Sequence, residues 1–248
     1  MNFDPFNDYK THGYLRNHAR EKDPRLVRDF EHRSFMSNIQ KAFQKLAGVE
    51  SLSYGDVLAT HKILFEAVYP WAGLDRAQTA PQIAVRRGDI FFAHPNDAKH
   101  AVEYALRFGR DVDFMAAKPG EVMSYLAHAH PFLDGNGRTI LTIHTELAHR
   151  AGVSIDWSLI DKSDYLSALT KDLLSPNKGI LDAYLASFLR SNIGHGNLAK
   201  HVVKARGLEG GDYFPEVEYE QYSKIALKAG KRKKYVAKKN VPPKPTQT

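Results

Sequence analysis

Residues 130–139 read His-Pro-Phe-Leu-Asp-Gly-Asn-Gly-Arg-Thr. A helical pattern over Pro119–Ala129 enters this run, and a second, carrying Ile140, Leu141, Ile143 and Leu147 and ending near Gly152, leaves it. The run is therefore expected to be a loop between two helices. It gathers a base, a carboxylate, a glycine-flanked amide and a guanidinium where a helix starts, which is equipment for handling a nucleotide's phosphates. Gly135 and Gly137 let the main chain approach an anion, and the first N–H groups of a helix have no intrahelical partner. Arg138 can fork onto phosphate oxygens. Asp134 is a hard oxygen ligand for a Mg²⁺ shared with those phosphates. His130 is the side chain most readily poised as a general base near neutral pH.

The string resembles the signature of the Fic (Fic/Doc) family, His-Pro-Phe-x-(Asp/Glu)-Gly-Asn-Gly-Arg, at every defined or restricted position. The resemblance implies a mainly α fold, a Fic-type helical bundle with a short β-hairpin flap over the active site. It also implies transfer of AMP from ATP to a Ser, Thr or Tyr hydroxyl of a target protein. In that scheme His130 deprotonates the hydroxyl and Asp134 holds Mg²⁺. Gly135, Asn136 and Gly137 cradle the α- and β-phosphates, with Asn136 as a side-chain donor, and Arg138 neutralises the pyrophosphate leaving group. Such chemistry works by placement and electrostatics.

Outward from the loop, helical periodicity dominates. Phe35, Met36, Ile39, Ala42, Phe43 and Leu46 form one apolar stripe of a helix ending by Gly48. Ser53 and Asp56 offer a capping box for the next, whose Val57, Leu58, Leu64, Phe65 and Val68 share a face. Around the Arg87-Gly88-Asp89 turn, Ile83 and Val85 alternate on one side and Ile90 and Phe92 on the other, which predicts a hairpin. This hairpin, with its Tyr69-Pro70-Trp71-Ala72-Gly73 lead-in, is similar to the family's flap, whose edge holds a target segment in extended form. Pro95–Arg107 reads as a helix. Residues from Tyr165 to Asn192 look like the family's closing helices, which help wall the adenine pocket. The expected organisation is an arm over 1–34, a Fic domain over 35–192, a linker and small segment over 193–229, and a basic, Pro-containing disordered tail over 230–248.

Two departures bear on the nucleotide. Many adenylyl-transferring members carry a second Arg one helical turn after the first, where this chain has Leu141. A Leu cannot bind phosphate, so the grip on a γ-phosphate is expected to be weaker or to come from elsewhere, and another nucleotide or group is the alternative. The family's self-inhibitory string, (Ser/Thr)-x-x-x-Glu-(Gly/Asn), is also missing; near Glu209-Gly210 the Ser/Thr position holds Ala205. Regulation by a separate antitoxin-like protein is one outcome of that absence, and low or altered activity the other.

The 248 residues, 43% of them hydrophobic, suffice for one core with an appendage, and the absence of cysteine excludes disulfides and thiolate metal sites. No apolar run reaches the roughly 20 residues of a membrane-spanning helix, and the start of the chain lacks a secretory pattern, so a cytoplasmic protein is the default expectation. The net charge of +7 sits largely in the tail, so the catalytic part is not markedly basic and nucleic acid is not its expected partner. Two competing functions remain open. His128, His130, Asp134 and His144 could assemble a hydrolytic metal site, and a degenerate Fic-like scaffold could bind nucleic acid through its basic tail. The basic C-terminus also resembles signals of type IV secretion substrates, so the protein could act inside another cell.

Overall fold

The computed structural model of the chain describes residues 4–208, 218–222 and 225, and its helices start where the sequence supplies caps. In chain order they are α1 (Tyr9–His12), α2 (Pro24–Ala47), α3 (Tyr54–Phe65), α4 (Arg76–Thr79), α5 (Ala98–Arg110), α6 (Val112–Ala117), α7 (Pro119–Ala129), α8 (Asn136–Arg150), α9 (Lys162–Leu174), α10 (Ile180–Leu185) and α11 (Leu198–Val202). Five short strands accompany them: β1 (Ile83–Arg87), β2 (Ile90–Phe91), β3 (Val153–Ile155), β4 (Leu189–Ser191) and β5 (Glu218–Gln221). The fold is mainly α with small antiparallel sheets, as expected.

Asp23 accepts the Arg25 N–H and Pro24 fills the first turn of α2, so this helix begins eleven residues before the apolar stripe that announces it. Its first half buries Glu31 and Ser34, polar side chains that interrupt the periodicity by which a helix is read. The helix thus runs unbroken across the expected boundary between arm and domain. At α3, the Asp56 carboxylate accepts the N–H and the hydroxyl of Ser53, the latter at 2.6 Å. The helix expected over Pro95–Arg107 divides into a 3-10 turn, Pro95–Asp97, and α5, because the His94 imidazole caps Asn96 and starts the tighter turn.

Helices α2, α3, α5, α7 and α8 pack around one core that includes Phe35, Phe43, Leu64, Phe65, Leu106, Met115, Phe132 and Leu147. Apolar burial on this scale is the main favourable term in folding. The N-terminus of α7 is closed from α10, where Asp182 accepts the N–H groups of Gly120 (2.6 Å) and Glu121. Beyond Asn192, where a linker was expected, the chain stays on the helical body. His195 bonds the buried Glu146 at 2.9 Å, and α11 packs on α2 and α8. The tail at 230–248 lies outside the described residues, as does the acidic stretch over 209–217.

Strand β1 lies between β2 and β5, antiparallel to both. The tip of the β1–β2 hairpin is the expected turn, with Gly88 at φ +56°, in the left-handed region that favours glycine. Val85, Ile90 and Phe92 are buried and Ile83 half-buried, so the alternating residues do share an inner face. Phe92 falls just past β2, but its N–H still donates to the Val85 carbonyl.

Candidate active site

The loop between α7 and α8 is shaped by two left-handed residues. His130 ends α7 at φ 39°, ψ 58°, and Gly135 precedes α8 at φ 74°. A histidine is uncommon in that region, and here several bonds hold it. Arg76, fully buried, donates its Nε to the His130 carbonyl (2.7 Å) and one Nη to the Ala93 carbonyl (2.6 Å), while its own N–H donates to Pro131. One guanidinium therefore ties the loop to the base of the hairpin. From the hairpin side, the Phe92 ring stacks on the His130 imidazole, centroids 4.3 Å apart and planes 24° apart. Burial, then the positive charges of Arg76 and Arg87, hold His130 well below the ordinary histidine pKa. It is a neutral imidazole at pH 7, able to take a proton.

The floor of the loop is His61 of α3. Its ring lies on Phe132 (centroids 3.8 Å, planes 15°), its Nδ1 accepts the Gly73 N–H, and its Nε2 meets the Asp134 carbonyl at 3.1 Å. Since Nδ1 is an acceptor, the proton sits on Nε2 and donates to that carbonyl. Burial lowers this pKa to about 3 and that of His144, which bonds the Pro119 carbonyl, to about 4. Both folded values lie below the unfolded one near 6.5, so neither group affects stability above that pH. As the pH falls from 6.5 towards 4, the unfolded chain takes up protons that the folded chain refuses, at about 1.4 kcal/mol per pH unit for each histidine. A urea midpoint markedly lower at pH 5 than at pH 7 is expected; equal midpoints would show that these rings titrate normally in the fold.

Asn136, expected as a side-chain donor to phosphate, has its carboxamide bonded within the loop. Its Oδ1 accepts the Phe132 N–H (2.9 Å) and its Nδ2 donates to the Phe132 carbonyl (2.8 Å). The carboxamide clamps the loop into its curve. The first helical bond of α8 runs from Thr139 N–H to the Gly135 carbonyl, so the N–H groups of Asn136, Gly137 and Arg138 precede the ladder. The two glycines do different work. A Cβ on Gly135 would sit 2.6 Å from the Phe65 ring, whereas one on Gly137 would enter open space. Gly135→Ala is expected to lower stability by about 2–4 kcal/mol, combining left-handed strain with overpacking. Gly137→Ala should melt close to the parent, and thermal unfolding of both variants compares them.

Arg138 points inward to α2. Its Nη2 is 2.5 Å from Glu31 Oε2, and the Tyr69 hydroxyl donates to Oε1 of the same carboxylate at 2.8 Å. The guanidinium also lies over the Phe65 ring. Leu141, one turn on, is buried with the core and offers nothing to an anion. Asp134 is half-buried and accepts the Gly135 N–H at 2.7 Å. Among the described residues no three His, Cys, Asp or Glu side chains gather as a metal cluster. The set His128, His130, Asp134 and His144 is not brought together: His128 is exposed and His144 is buried against Pro119 and Trp157. A single carboxylate of this kind suits Mg²⁺, which is commonly bound by one or two carboxylates together with substrate phosphates.

His61, Arg76 and Glu31 escape a sequence reading, since each looks like an ordinary helix residue. The one available signal is that polar residues occupy an inward-facing position: His61 shares a helical face with Val57, Leu64 and Phe65.

Comparison with known proteins accords with this geometry. The Fic/DOC family profile matches residues 51–148. Protein adenylyltransferase VbhT of Bartonella schoenbuchensis is 26% identical over 215 residues, which are 83% of this chain and 42% of that protein, so this chain spans less than half of its length. The Fic domain of a VirB-translocated Bep effector from Bartonella quintana, solved with ADP, superposes with a TM-score of 0.61 at 25% identity, covering 74% of this chain and 94% of that one. BepC of Bartonella tribocorum, solved with AMPPNP, shares the fold with a TM-score of 0.58 at 20% identity, covering 75% and 100%. Among the described residues no helix is long and apolar enough to cross a membrane. The loop between α7 and α8, the helices α3 and α7 and the hairpin beside it thus lie within residues 51–148, the stretch that is similar to the Fic/DOC family.

Proposed function

We propose that the chain is a protein adenylyltransferase that moves AMP from ATP onto a Ser, Thr or Tyr hydroxyl of a target protein. The observation that carries this reading is a neutral imidazole, His130, pinned by Arg76 and Phe92 at the mouth of a helix N-terminus. The target oxygen attacks the α-phosphorus, the bond from that phosphorus to the bridging oxygen breaks, pyrophosphate leaves, and His130 takes the hydroxyl proton. The N–H groups of Asn136, Gly137 and Arg138 face the phosphates, and the charge of Arg138 lies beneath them. Asp134 is the carboxylate that would hold Mg²⁺, which supplies charge neutralisation on the phosphates. VbhT's name as an adenylyltransferase and the nucleotide in the B. quintana neighbour support the reading.

Leu141 in the core and Arg138 on Glu31 favour keeping the nucleotide open. The deciding experiment incubates the protein and a lysate with Mg²⁺ and ATP, UTP or GTP in turn, followed by intact-mass analysis. A gain of one AMP from ATP supports adenylyl transfer. A gain of UMP or GMP, or of phosphate alone, replaces it with another transfer. Delivery into another cell is part of the same proposal, supported by the translocated neighbour and the basic run over 224–239; a reporter fused to the chain and found only in the producing cell would refute it.

A further inference from the structure

Transfer chemistry leaves β5 without a role. This strand lies along the edge of β1 that β2 does not use, in the register Ile83↔Gln221, Ala84↔Glu220, Val85↔Tyr219 and Arg86↔Glu218. The Tyr222 N–H continues the ladder to the Gln82 carbonyl at 3.1 Å. Main-chain groups alternate sides along a strand. Val85 turns its carbonyl to Phe92, so Ala84 and Arg86 turn theirs to β5.

The side chains of β5 span the distance from this edge to the catalytic loop. Glu218 pairs with Arg86, and the Tyr219 hydroxyl donates to the Leu133 carbonyl at 2.9 Å, three residues from His130. The Tyr222 ring lies 4.5 Å from that of His94. Nothing in β5 is fully buried, and Arg86 and Glu218 are 32% and 52% exposed. A four-residue strand with a solvent-exposed ion pair and little buried surface belongs to the least stable layer of a fold. It is held chiefly by backbone hydrogen bonds, the kind of contact another extended chain can replace.

Resting on the reading of β1 and β2 as the flap of a transferase, we propose that residues 218–221 are a tethered occupant of the target-docking edge. The chain closes this edge with its own segment. The class of segment that displaces it is extended and acidic, with a carboxylate opposite Arg86 and a tyrosine opposite Val85. The argument for that class is complementarity: the edge ends in Arg86 and Arg87, and its present occupant reads Glu-Tyr-Glu-Gln.

The test uses the full chain and the variant Glu218→Arg/Tyr219→Ala, with a fluorescent peptide of residues 216–223, Glu-Val-Glu-Tyr-Glu-Gln-Tyr-Ser, as the probe. The variant should bind the peptide about tenfold or more tightly than the parent does, since the edge no longer has a competitor on a tether. Hydrogen exchange at the Ala84 and Arg86 amides should be slow in the parent, fast in the variant, and slow again when peptide is added. Glu218→Arg alone should move both readouts the same way by a smaller factor. Peptide binding no tighter in the variant, or the two amides equally protected with β5 disabled, would overturn the proposal. Neither readout involves ATP. A variant that binds the peptide but transfers no nucleotide would sink the transferase reading and leave the occupied edge standing.

Discussion

Replacing His130 with alanine is expected to lower transfer by at least about a hundredfold while ATP affinity changes little. Loss of a general base typically costs roughly 10²–10⁴-fold, and in the proposed reaction the imidazole acts on the incoming hydroxyl, away from the ground-state nucleotide. His130→Asn is the companion variant, because Asn tolerates the left-handed backbone that His130 adopts and still removes the base. The pH profile gives a second readout. Burial and two nearby arginines depress the pKa of His130, so the base form persists as the pH falls through the range where an ordinary histidine protonates. The kcat/KM for transfer should stay flat from pH 8 to about pH 6. A break near 6.5, or a variant retaining a tenth of the parent's turnover, would take the base role from this residue.

Glu31→Ala is expected to be the most damaging single change to stability. Glu31 is 2% exposed and Arg138 is 14% exposed, and their contact joins the first turn of α8 to the first half of α2. Removing one partner of a buried pair leaves an uncompensated charge and typically costs about 3–5 kcal/mol. For a chain of this size that corresponds to roughly 6–20 °C in melting temperature. The Tyr69 hydroxyl loses its acceptor in the same step. Exchanging both members, as in Glu31→Met/Arg138→Met, should cost less than the single change, since no charge is left stranded. Thermal melts of Glu31→Met, Arg138→Met and the double variant close the cycle. Equal melting of Glu31→Ala and the parent would mean that Arg138 finds another anion without cost.

If Arg138 also meets the nucleotide, Glu31 has a functional side. Phosphate and carboxylate would then compete for one guanidinium, and the resting pair would set part of the cost of binding. The absence of a second arginine at Leu141 makes that competition the more consequential, because the described first turn of α8 offers no other cation for the distal phosphates.

Much of the site was legible in the order of residues because it is local. His130 through Thr139 are contiguous, Pro119 and the apolar pattern place α7 and α8 on either side of them, and Arg87-Gly88-Asp89 marks the hairpin by turn chemistry alone. Backbone preference and side-chain periodicity act over a few residues, so they can be read without the fold. What orients those groups acts over long separations: 54 residues between Arg76 and His130, 73 between His61 and Asp134, 107 between Glu31 and Arg138, and 86 between Tyr219 and Leu133. Burying a polar group is favourable only when its partner is buried opposite it. For Arg76, His61, Glu31 and the strand at 218–221, that partner exists only after packing. The residues of the loop and its place between two helices were therefore written in the sequence, and the orientation of their side chains and the strand that lies along the neighbouring hairpin were decided by tertiary structure.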